Sequence, residues 1–156
     1  MFERLLAFIQ NPTKYETPLP PADAAHVVGA LMVQAAKADR AYLFEEVEVI
    51  DRVLARRHNL NPVEAAKMRA QCEKLEEHMH DTDALASILK EAVGTEEAEA
   101  ALRALWAVVF ADGFEQEEED NILHQVEAVL GISPLRAKEL HDEEMQNAQP
   151  DELSTF

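Results

Sequence analysis

Apolar residues in this chain recur every three to four positions, and no segment alternates with period two over the length of a strand. That spacing predicts helices throughout. Residues 2–10 read as a short amphipathic helix ended by Asn11-Pro12, and Pro18, Pro20 and Pro21 mark an irregular connector. Pro21 suits the first turn of a helix reaching about Ala38, with Ala24, Val27, Val28, Leu31, Met32 and Ala35 as its buried stripe. A short loop over Asp39–Phe44 leads to a helix from about Glu45 to His58. Asn61-Pro62-Val63-Glu64 then supplies a cap, a proline at the first helical position and a glutamate three residues after the cap.

That third helix should run to about Met79. Asp81-Thr82-Asp83 caps a fourth, ending near Gly94, and Thr95 caps a fifth whose inward residues are Leu102, Leu105, Trp106, Val109 and Phe110. Asp112-Gly113 is a turn dipeptide. A helix from about Glu117 to Leu130 follows, stopped by Gly131, and Ser133-Pro134 opens the last one, which fades after Asn147. The fold class is all-α: a single compact helical bundle of about seven to eight helices. Residues 1–21 form an N-terminal helix and Pro-rich connector, 22–147 the helical domain, and 148–156 a polar tail.

Within the domain one unit occurs twice, as repeat 1 (about 24–70) and repeat 2 (about 97–142). Ala38-Asp39 through Glu46 matches Ala111-Asp112 through Glu119, each pair preceded by an apolar helix. In both, a glutamate lies seven residues after the aspartate, and apolar positions follow it at +3, +4 and +7. Each copy closes alike, with Asn59-Leu60-Asn61-Pro62 and Gly131-Ile132-Ser133-Pro134. A helix–acidic loop–helix unit cannot bury its apolar face alone, so the two copies are expected to pack together and superpose.

Composition narrows the function classes. Lys+Arg 14 against Asp+Glu 31 gives a formal charge of −17. Such a surface repels phosphate backbones, so neither nucleic acid nor an anionic membrane is an expected partner. Residues 1–93 carry a net of −4 and residues 94–156 a net of −13, an asymmetry that suits a protein partner with a basic surface, or a cation. No apolar run approaches the ~20 residues of a membrane span. Met1-Phe2-Glu3-Arg4 carries an acid early and has no small-residue cleavage site after it, unlike a signal peptide. The lone Cys72 fits a reducing compartment, so a cytoplasmic location is expected.

The densest chemistry is the loop after Trp106, where Asp112, Glu115, Glu117, Glu118, Glu119 and Asp120 fall within nine residues and no base intervenes. Carboxylate oxygens suit hard cations such as calcium, magnesium or manganese. The competing reading is structural, because acids in a first helical turn complement the macrodipole. The loop is not an EF-hand: Gly113 and Glu119 at positions 6 and 12 would place Val108 and Phe110 at positions 1 and 3. His78 and His80 point in different directions from a helix end, and His26, His58, His124 and His141 are scattered. No nucleophile elbow, phosphate-binding glycine loop or Cys/His pattern occurs, and the chain is not expected to be an enzyme.

Ala111-Asp112-Gly113 through Glu119, led in by Leu105-Trp106 and followed by Leu130-Gly131-Ile132-Ser133, resembles the TerB-like domains associated with tellurite resistance. Ala38-Asp39 to Glu46, with the downstream His58-Asn59-Leu60-Asn61-Pro62-Val63-Glu64-Ala65, fits the same pattern. The resemblance covers about residues 24–142. It implies a single helical bundle, a stress-response role, no catalytic activity, and a metal site built by the acids of the two loops: here Asp39, Glu46, Asp112 and Glu119. Arg40 stands where the family usually has glycine, and a cation beside Asp39 would weaken the first copy. The alternative function is an acidic helical adaptor that docks a basic protein partner and binds no metal.

Overall fold

The computed structural model describes residues 17–38, 42, 44–112 and 115–148, with the backbone alone at Asp112. The expected helix over 2–10, most of the first acidic loop and most of the polar tail lie outside these residues. Seven α-helices and no strand occur among them: α1 (Ala24–Lys37), α2 (Phe44–His58), α3 (Pro62–His78), α4 (Thr82–Ala92), α5 (Thr95–Val109), α6 (Glu117–Leu130) and α7 (Pro134–Ala148). A 3₁₀ turn, Phe110–Asp112, extends α5. Among the described residues no helix is long and apolar enough to cross a membrane.

α1 begins later than Pro21 suggested. Asp23 is its N-cap, and the carboxylate accepts from the His26 amide at 2.9 Å. An aspartate side chain offers the orphan amides a partner, and proline offers none. Nor is α1 merely striped: every residue from Val27 to Ala36 is buried, so it is the central helix, packed against α2, α3, α4, α5 and α6. A helix apolar around its whole circumference has no solvent face to keep. Gln34, its one buried polar residue, donates to the His80 carbonyl at 2.8 Å and accepts from the Thr82 hydroxyl at 2.6 Å. The amide group thereby ties α1 to the α3–α4 junction.

α5 is the second core helix, with Leu102, Leu105 and Trp106 fully buried, and it packs on α1, α2, α6 and α7. Its cap position is Gly94, without a side-chain bond; Thr95 is the first helical residue rather than the cap. The two helix exits that the sequence matched share one backbone construction. Asn59 (φ 54) and Gly131 (φ 74) are both left-handed. The next amide reaches back five residues in each: Leu60 to Ala55 at 2.9 Å, and Ile132 to Glu127 at 3.1 Å. Asn61 then caps α3 through the Glu64 amide at 2.8 Å, and Ser133 caps α7 through the Arg136 amide at 3.2 Å.

Candidate functional site

Glu46 and Glu119 occupy the first turns of α2 and α6 and are each only 2% exposed. Their neighbours Glu45, Glu117 and Glu118 are exposed. The acids at these helix starts are thus of two kinds: some face water, where the macrodipole favours them, and the two matched glutamates turn inward. Asp112 closes the 3₁₀ turn, which packs against α2 as well as α5 and α7. The turn of the second acidic loop therefore lies beside the helix that carries Glu46. Asp39 and Arg40 lie outside the described residues, as does the Asp112 side chain, so the structure places two of the four expected ligands.

A cluster of acids and histidines sits beside α6. Glu115 Oε1 lies 3.0 Å from His141 Nε2, and His141 Nδ1 lies 2.8 Å from Asp142 Oδ1. His124 Nδ1 lies 2.9 Å from Glu127 Oε1. Trp106 is the floor, fully buried, its ring centroid 4.6 Å from that of His141, 6.3 Å from His124 and 5.6 Å from Phe110. Glu115, His124, Glu127, His141 and Asp142 border a cleft of about 460 Å³ that Lys138 also lines.

The titrations in the cluster are displaced. Burial pushes the Asp120 carboxyl up to about 7, and a hydrogen bond to Glu115 adds to the rise. Burial alone would raise Glu115 too, but its bonds to Asp120 and His141 hold it below the usual range. One proton shared between adjacent carboxyls accounts for both directions. Burial alone would lower His141, and its contacts with Asp142 and Glu115 raise it instead.

Sequence spacing gave no sign of this grouping, because Glu115, His124 and His141 come from a loop and two helices. Trp106, which both histidines meet, was legible as an inward residue of α5, though not as the surface on which they converge. Among the described residues, no group of three or more His, Cys, Asp or Glu is placed to hold a metal ion. Cys72 is fully buried, and burial pushes its thiol up to about 12, the setting of an unreactive core side chain. His78 and His80 are both exposed, and His80 pairs with Glu76.

A model of the family described as tellurite resistance protein TerB matches residues 25–142. No curated protein and no solved structure matches the chain.

Proposed function

The chain belongs to the TerB tellurite-resistance family, and from that premise we propose that it is a non-catalytic stress-response module holding a divalent cation between its two acidic loops. The ligands are Asp39, Glu46, Asp112 and Glu119, with calcium, magnesium or manganese as the matching class of ion, since all four donors are hard carboxylate oxygens.

The observation that carries this reading is the burial of Glu46 and Glu119 beside exposed acids of the same helix turns. Acids that only complement a helix dipole gain nothing by leaving water. Two acids at matched register that both turn inward support a role beyond solvation. The position of the Asp112 turn against α2 supports a meeting of the two copies at that end of the bundle.

Calorimetry and thermal melting of metal-free protein against calcium, magnesium, manganese and zinc test the proposal. A ligand that binds only the native state raises stability by RT ln(1 + [L]/Kd), so the melting temperature should climb with ion concentration. A melting curve unmoved by every divalent ion at millimolar concentration would remove the metal and leave the adaptor that docks a basic partner.

A further inference from the structure

Glu46 and Glu119 are each the third residue of their helix, and each follows by four residues a side chain bound to a helix distant in sequence. Tyr42, two residues before α2, donates its hydroxyl to Glu73 Oε2 on α3 at 2.8 Å. Glu115, two residues before α6, places Oε1 3.0 Å from His141 Nε2 on α7. The receiving ends correspond as well. Arg69 Nη1, 3.3 Å from both Glu73 carboxylate oxygens, stands seven residues after Pro62, the first residue of α3. His141 stands seven residues after Pro134, the first residue of α7.

Each tie is braced from the helix that leads into its loop. Lys37, the last residue of α1, holds its Nζ 5.6 Å from the centroid of the Tyr42 ring. Phe110, in the turn that extends α5, has its ring centroid 5.4 Å from that of His141. The bonds differ in chemistry, a hydroxyl on a carboxylate in one and a carboxylate on an imidazole in the other. Their placement does not differ. A contact just ahead of a helix fixes the angle at which the chain enters it, and so the direction in which first-turn side chains point.

We propose that Tyr42 and Glu115 are positioning residues for the cation site, each pinning the approach to its helix so that Glu46 and Glu119 turn inward. The inference rests on the divalent-cation reading and adds to it the device that presents two of the ligands. Side chains already held in their binding orientation leave less to be ordered when an ion arrives, so losing a pin weakens affinity without removing a ligand. One lost hydrogen bond corresponds to roughly a three- to tenfold change in an equilibrium.

Tyr42→Phe keeps the ring beneath Lys37 and removes the first bond; Glu115→Ala removes the second, and Glu115→Gln retains an oxygen for His141. Hydrogen exchange of metal-free protein reads the pins without an ion. Amides in the first two turns of α2 should exchange roughly three- to tenfold faster in Tyr42→Phe, and those of α6 in Glu115→Ala, with Glu115→Gln close to wild type. Amides of the central helix α1 should keep their rates in all three. Titration calorimetry with calcium, magnesium and manganese should show each broken pin weakening binding by a similar factor. Tyr42→Phe should have no further effect once Glu73→Leu has removed its acceptor. Exchange unchanged at both helix starts, or raised equally in α1, would overturn the pinning. Wild-type affinity in Tyr42→Phe and Glu115→Ala would overturn the role in ion binding. If the wild type takes up none of the three ions, the cation reading itself fails and the positioning role goes with it, whatever the exchange rates show.

Discussion

A Cβ atom built on Gly29 would lie 2.1 Å from Cys72 Sγ and 3.0 Å from Cys72 Cβ. The contact of α1 with α3 at Gly29 therefore depends on one hydrogen in place of a methyl group. Glycine inside a helix normally costs roughly 0.5–1 kcal/mol relative to alanine, so Gly29→Ala would stabilise α1 if the space existed. It does not exist, and overpacking of this kind costs about 1–3 kcal/mol. The clash should win. Gly29→Ala should lower stability in chemical denaturation, and Gly29→Ala/Cys72→Ala should be more stable than Gly29→Ala alone, since the sulfur is the nearer obstacle. A Gly29→Ala protein as stable as wild type would disprove the close contact.

At the other end of α6, Gly131 adopts φ 74 with open space where a side chain would go. Gly131→Ala should destabilise by about 1–2 kcal/mol through backbone conformation alone. Asn59→Gly at the matched exit should be tolerated, because asparagine there already bears that strain. Thermal unfolding of the two variants distinguishes a backbone effect from a packing one: equal losses at both positions would argue against it.

The cation reading predicts an order among the acids. Asp112→Ala and Glu119→Ala should abolish ion-dependent stabilisation, whereas Asp39→Ala weakens it less, because Arg40 already provides Asp39 with a neighbouring charge. Arg40→Gly should strengthen it. Titration calorimetry of the four variants reads these directly. The order fails if Asp39→Ala is the most damaging change.

The Glu115–Asp120 pair predicts a pH dependence. In the fold the Asp120 carboxyl is pushed up to about 7, from an ordinary value of 3.8. Between those values the folded state holds more protons than the unfolded one, so the contribution of Asp120 to stability falls as pH rises from about 4 to about 7. Asp120→Asn cannot ionise and should flatten that decline, gaining on wild type at pH 8 relative to pH 5. Denaturant midpoints of metal-free protein across this range are the measurement. Parallel curves for the two proteins would mean that the pair does not share a proton.

Much of the fold was legible along the chain. The helix exits at Asn59 and Gly131, the Asn61 cap and the inward side of α5 are local features, written by residues within one or two turns of each other. The start of α1 was less so: Pro21 and Asp23 both offered a beginning, and only the bond from the His26 amide to Asp23 separates them. Of the candidate site, the spacing singled out Glu46 and Glu119 as an equivalent pair, but not that they turn inward while Glu45, Glu117 and Glu118 do not.

By itself, then, the sequence determined the helical class, the order and approximate ends of the helices, and the two acidic steps. Each depends on hydrogen bonds and side-chain spacing within a few residues. Tertiary structure alone decided which helix became the centre, because α1 is buried all round only once five other helices lie against it. It also decided that Gly29 meets Cys72, and that His124 and His141 converge on Trp106. These contacts join residues tens of positions apart, and periodicity carries no record of which faces will meet; the packing of whole helices sets that.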